Sequence, residues 1–152
     1  MQIRSILVPT DFSESAARAL EHAIAWAKTF RARIHLLHAY QVPIQIGVGE
    51  PVPLPQEFFD QMRERAQRRL DDLAVKLASD GVEVRTHLAL EAASRAIVDA
   101  AEQLGVDLIV MGTRGLTGMK HVLLGSVAER TVRLAPCPVM TVKEPAPPTP
   151  PS

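Results

Sequence analysis

Aromatic residues make up only 4% of this 152-residue chain, with one Trp and one Tyr, although 47% of its residues are hydrophobic. The interior must therefore be aliphatic, built from Ala, Val, Leu and Ile. Cysteine occurs once, at Cys137. That excludes an internal disulfide framework and any multi-cysteine zinc site, and it suits a reducing compartment. Neither sign of charge is in surplus, since 17 Lys and Arg balance 17 Asp and Glu. A dedicated nucleic-acid binder would carry a basic excess for phosphate contacts, so no nucleic-acid partner is expected. A small anionic ligand remains compatible with this balance. No apolar run approaches the ~20 residues of a membrane span. The first apolar stretch ends at Pro9 and is interrupted by Asp11, which is too short for a signal peptide. The expectation is a cytoplasmic protein without a membrane partner. A chain of this length buries roughly 70% of its unfolded surface and needs no disulfide or metal for stability.

The chain alternates short β-branched runs with long amphipathic stretches. Ser5–Val8 reads as a buried strand ending at Pro9. Glu14–Phe30 reads as a helix, with Ala16, Leu20, Ala23, Ala27 and Phe30 on one face at helical spacing. Either Asp11 or Ser13 can cap it, and Asp11 with Glu14 has the spacing of a capping box. Arg33–Ala39 is a second strand. Gln41–Leu54, with three prolines and two glycines, reads as a long loop. Next comes a helix over Pro55–Ser79, its stripe formed by Phe59, Met62, Ala66, Leu70, Leu73 and Leu77, with Gly81 placed to stop it. The charges between Arg63 and Asp72 read as a solvated face with i,i+4 pairs. Val82–Leu90 is a third strand, Ala93–Leu104 a third helix ended by Gly105, and Leu108–Met111 a fourth strand apolar enough to be buried on both faces. Ser126–Leu134 is a fourth helix, with Ser126 and Glu129 at capping-box spacing. Pro138–Val142 is the last strand. Glu144–Ser152 has five prolines in nine residues and reads as an extended, disordered tail outside a single domain of residues 1–143.

Strands alternating with helices imply an α/β fold: an open parallel sheet with right-handed crossovers. Ligands bind such sheets beyond the carboxyl ends of the strands, where strand order reverses. The segments at those ends are Pro9–Asp11, Ala39–Tyr40 and the stretch after Met111. That stretch reads GTRGLTGMKHVLLGS. Gly112, Gly115 and Gly118 are spaced by three, and Gly125 precedes Ser126. Glycines there let the backbone turn sharply and approach a ligand without Cβ interference. The N–H groups of Gly125, Ser126 and Val127 open a helix, a ready anion site, and Arg114, Lys120 and His121 lie in the same segment. This is chemistry that a polyphosphate needs. It is neither a Walker A loop nor the Rossmann fingerprint, because the glycines run GxxGxxG after the fourth strand.

These residues carry a resemblance. Over residues 2–143 the chain resembles the ATP-binding branch of the universal stress protein family. ILVPTDFSESAARAL resembles the family's opening strand, aspartate and helix, and VDLIVMGTRGLTGMKHVLLGSVAERTVRLAPCPVMTVK its C-terminal half. Gly112, Gly115, Gly125 and Ser126 match the family's G-x2-G-x9-G-[S/T] motif. The resemblance implies a five-stranded parallel sheet in the order 3-2-1-4-5 with helices on both faces, a fold of the adenine nucleotide alpha hydrolase type. It implies that Asp11 accepts from the adenine amino group, that Pro9 flanks the base, that Ala39 gives backbone contacts to it, and that Thr10 belongs to the same nucleotide site. It implies that Met111 and Gly112 lie along the ribose, that Arg114, Gly115, Leu116 and Thr117 line the phosphate loop, and that Gly125, Ser126 and Val127 hold the phosphates. ATP or another adenine nucleotide is the implied ligand, Mg or Mn the metals that would accompany its phosphates, and a homodimer through Val139–Val142 the implied assembly. At Glu91–Ser94 the chain departs from the family's Gly-x-Pro-like turn, so no contact is assigned there.

No catalytic residue is assigned, since no nucleophile–base pair stands out. The favoured reading is a regulatory nucleotide-binding module of the stress response; the alternatives are a slow ATPase or nucleotide-dependent enzyme using the same loop, and an interaction protein with an empty loop. His35 and His38 point to opposite faces of one strand, and His22, His87 and His121 lie in other segments, so no metal site is expected. Cys137, between two prolines, reads as a small core residue.

Overall fold

The computed structural model describes residues 1–42, 49–50, 52–114, 124–145 and 151. Five strands and four helices alternate: β1 Ser5–Pro9, α1 Glu14–Phe30, β2 Arg33–Tyr40, α2 Gln56–Ser79, β3 Val84–Leu90, α3 Ala93–Leu104, β4 Leu108–Gly112, α4 Ser126–Leu134 and β5 Val139–Val142. The strands form one sheet in the order β3-β2-β1-β4-β5, every neighbouring pair parallel. This is the order that the resemblance implied.

The two-residue period of the strands divides the interior into two layers. Ile6 and Val8 of β1, Ile34 and Leu36 of β2, and Leu108 and Val110 of β4 pack with Ala19, Leu20, Ala23 and Ala27 of α1 and Leu70 and Leu77 of α2. Leu7, Leu37, Ile109 and Met111 face the other way, against Ala96, Ile97 and Ala101 of α3 and Ala128 of α4. With so few aromatic residues, close approach is achieved by alanine. Four of the six buried residues of α1 are Ala, which brings the helix axis close to the sheet.

The helix ends obey local chemistry. Ser13 caps α1, its Oγ accepting from the Ala16 N–H at 3.2 Å. Asp11 acts one step earlier, its Oδ1 accepting from the Ser13 N–H at 2.9 Å. Gly105 ends α3 in the left-handed region, where only glycine is free of Cβ strain. Gly81 is also left-handed, and the Val82 N–H turns back to the Leu77 carbonyl. Val82 is therefore spent on closing the α2 turn, and β3 starts at Val84 rather than at Val82.

Strand order reverses between β1 and β4. There the register comprises only Ile6↔Leu108 and Leu7↔Ile109. Beyond it β1 stays paired with β2 as far as Pro9↔Leu37, and β4 with β5 as far as Gly112↔Val142. The carboxyl ends of the two central strands are thus committed to outer neighbours, which opens a crevice between them.

Candidate functional site

A cavity of about 470 Å³ occupies that crevice, within the usual range for small-molecule sites. One lip is the β1–α1 turn, with Pro9, Thr10 and Asp11. The opposite lip is the exit of β4, Met111–Arg114, continued by Leu124 and the opening of α4 through Gly125, Ser126 and Val127. Ala39 of β2, and Ala93 and Ile97 of α3, complete the apolar floor and side.

The β1 lip is braced from several directions. The Thr10 N–H donates to the Leu37 carbonyl at 2.8 Å, and the Thr10 Oγ1 accepts from the Phe12 N–H at 3.0 Å. The His38 Nδ1 lies 2.8 Å from the Thr10 carbonyl. Since a carbonyl only accepts, Nδ1 carries the proton in this bond. Phe12 has φ +63°, an uncommon region for a bulky residue. Its ring is held 4.6 Å from the His38 ring, and the Arg69 guanidinium lies 3.9 Å above it. These contacts hold the turn whose preceding residue, Asp11, lines the cavity.

The β4 lip is built from backbone. The Gly125 N–H donates to the Thr113 carbonyl at 2.6 Å, joining the beginning and the end of the loop. Gly125, in an extended conformation, is the residue before α4, and no side chain caps the helix. Ser126, expected as the cap, is instead the first helical residue. The bond to Thr113 fixes Gly125 in the capping geometry and pushes the serine one position on. With no cap, the first-turn N–H groups of α4 are open among the described residues. They make the wall electropositive, the effect of a helix N-terminus on anions. The cavity also holds Glu129, whose Oε1 accepts from Arg133 at 2.7 Å.

The glycines differ from expectation in one respect. Gly112 and Gly125 both have ordinary backbone angles, so neither is there to make a sharp turn. A Cβ on Gly112 would lie 2.2 Å from the Ser15 Oγ and 2.9 Å from the Ser15 carbonyl group. Gly112 is thus required by the first turn of α1 behind the strand. A Cβ on Gly125 would meet the Thr113 carbonyl oxygen at 3.0 Å.

The model of the universal stress protein family matches residues 2–143. The chain belongs to the universal stress protein family. It is 38% identical over 143 residues to the universal stress protein MJ0531 of Methanocaldococcus jannaschii, covering 93% of this chain and 83% of that protein. The structure of MJ0577, from the same organism, superposes with a TM-score of 0.82 at 28% identity, covering 97% of this chain and all of that one. A universal stress protein from Archaeoglobus fulgidus, in complex with dAMP, superposes with a TM-score of 0.64 at 23% identity, covering 93% and 98%. That last likeness is one of fold.

In this family member, Pro9, Thr10, Asp11, Ala39, Met111, Gly112, Arg114, Gly125, Ser126 and Val127 all line the one cavity. Gly115, Leu116 and Thr117 lie outside the described residues, as do Gly118, Lys120 and His121. Ala93 lines the cavity from the segment where the chain departs from the family's usual turn, and Ile97 joins it one helical turn on. Sequence reading missed both, since only their place on the apolar face of α3 marks them. It also missed a histidine pair. His35 Nδ1 lies 2.9 Å from His87 Nε2, between β2 and β3, where Leu37↔His87 is the registered pair. Spacing within one strand cannot reveal a partner in another. Burial pushes the His35 imidazole down to about 4, assisted by His87, Arg33 and Arg85, and burial lowers His87 as well. Cys137 is half-buried beside the α3–α4 layer, and burial pushes its thiol up, which makes it a poor nucleophile.

Proposed function

We propose that this universal stress protein binds ATP or another adenine nucleotide in the crevice between β1 and β4, and acts as a regulatory binding module. The observation that carries the reading is the pairing of unlike lips across one cavity. A carboxylate, Asp11, stands on the β1 side, and the uncapped start of α4 stands on the β4 side. An adenine offers an amino donor to the first, and phosphates offer anionic oxygens to the second. The apolar residues Ala39, Met111 and Ile97 between them suit the faces of a base and a ribose. Arg114 adds a cation at the phosphate end. Among the described residues no group of three or more His, Cys, Asp or Glu is placed to hold a metal ion, so Mg or Mn would be carried by the phosphates. The assembly that accompanies this reading is a homodimer through the edge strand β5.

The test is a Gly125→Asp variant, which puts a carboxylate at the proposed phosphate position. Each charge-assisted hydrogen bond to a phosphate contributes ~1.5–3 kcal/mol, so losing several would move a micromolar site beyond millimolar. Calorimetry is expected to detect no ATP binding, while Gly125→Ala, with the same Cβ near Thr113, reports the packing effect alone. Equal ATP affinity in folded Gly125→Asp and parent protein would reject the reading. For Asp11→Ala, ATP is expected to weaken more than inorganic triphosphate, because the carboxylate reads the base.

A further inference from the structure

On the α2 side of β2 lies a second cavity, of about 260 Å³. Its walls come from His38 and Tyr40 of β2 and from Phe58, Met62, Arg65 and Arg69 of α2. No acid lines it. The neighbouring acids on α2 are engaged elsewhere, Glu64 with Arg68 at 3.3 Å and Asp60 with Gln56 at 3.2 Å. Among the described residues, neither Arg65 nor Arg69 forms an ion pair. The Arg69 guanidinium lies over Phe12, its carbon 3.9 Å from the ring centroid. The β2 wall is aromatic: the His38 and Tyr40 rings are stacked along the strand, 14° from parallel with centroids 6.5 Å apart.

We propose that this cavity binds a small monocyclic aromatic carboxylate, its ring against the His38–Tyr40 wall and its carboxylate on Arg65, with Arg69 as second donor. The volume of about 260 Å³ holds a single ring bearing a carboxylate. Aromatic side chains favour another ring as neighbour, in offset-stacked or edge-to-face contact. The arginine fork matches two carboxylate oxygens at once, which a lysine would not.

The second cavity touches the first through the chain itself. His38, in its wall, donates to the carbonyl of Thr10, and Thr10 lines the β1–β4 crevice. Arg69, also in its wall, holds Phe12 beside Asp11. An occupant that repositions either group changes the β1 lip. Binding in the two cavities is therefore linked, and the linkage is reciprocal. This linkage rests on the proposed nucleotide reading; the second site does not.

Benzoate titrated into isotopically labelled protein, without nucleotide, tests the site. Chemical-shift changes are expected at Tyr40, Phe58 and Ala66. Changes confined to Ala39, Met111 and Val127 would place the ring in the other cavity and overturn the proposal, as would no change at ~10 mM, a bound far weaker than a useful site. Arg65→Gln, at an exposed position, is expected to weaken benzoate at least about tenfold, the loss of one charge-assisted pair, with Arg65→Lys intermediate. Benzamide, without the charge, and cyclohexanecarboxylate, without the flat ring, are both expected to bind more weakly than benzoate. Equal affinity for either, or for the Arg65→Gln variant, overturns the recognition scheme. With the site so established, an ATP affinity that is the same with and without saturating benzoate overturns the linkage alone.

Discussion

A methyl group on Gly112 would sit 2.2 Å from the Ser15 hydroxyl and 2.9 Å from the Ser15 backbone carbon and oxygen. The hydroxyl can be removed, but the backbone cannot. Gly112→Ala is therefore expected to cost about 1–3 kcal/mol, as overpacking does, measured by urea denaturation. Ser15→Ala in the same chain should recover only part of it. Full recovery would mean that the helix backbone is not the obstacle. The sequence marks Gly112 through its spacing to Gly115 and Gly125, and so draws attention to the ligand side of the loop. It carries no mark of Ser15, because that contact joins residues 97 positions apart in a close approach of α1 to β4. Asp11 was legible as a polar residue beyond a strand end, and its bond to Ser13 is local, two residues on; the bracing of Phe12 by Arg69 depends on where α2 comes to lie.

Between β2 and β3, the paired imidazoles tie stability to acidity. One nitrogen must donate and the other accept across 2.9 Å, which the neutral rings achieve and two imidazolium rings do not. His35 sits at about 4 in the fold, against an ordinary 6.5, and His87 is lowered too. The unfolded chain therefore binds more protons between those values, and stability rises with pH across the window. The contribution is complete above pH 6.5 and is lost as pH falls toward 4. Arg33 and Arg85 push His35 the same way, and Glu83 opposes them. In the double variant His35→Leu, His87→Leu, the melting temperature is expected to vary less between pH 7 and 4.5 than in the parent. Identical slopes would sink this account. Helical periods and short apolar runs were enough to locate the nine elements, because each helix buries one face at a regular spacing and the central strands are apolar on both. Cross-strand pairing was not legible, since register is fixed only when the whole sheet assembles. The same limit explains Ser126, where the bond from Gly125 to Thr113 overrides the local capping preference.

At the scale of the molecule, β5 is an edge strand, paired among the described residues only with β4, and its other side offers backbone groups to a second copy. The preceding helix exposes Val132 and Leu134, half of each in solvent. The proposed two-fold pairing of Val139–Val142 is expected to give a dimer by light scattering at tens of micromolar, and Thr141→Pro, which removes a donor on the side of β5 away from β4, to shift it to monomer. A monodisperse monomer from the parent protein would refute the assembly. The strand order itself came from the family resemblance; alternation alone gave a parallel sheet and left its order open. That order has a mechanical consequence. With two registered pairs between β1 and β4, the sheet has a fracture line through its middle, crossed by α1, which packs on both strands, and at its amino end by the bonds between Asp107 and Arg4 and Ser5. Force applied across the sheet would part it there first. A molecule gripping Asp11 on one bank and the start of α4 on the other would act as a rivet, so that occupancy would be felt as stiffness by anything docked on either half.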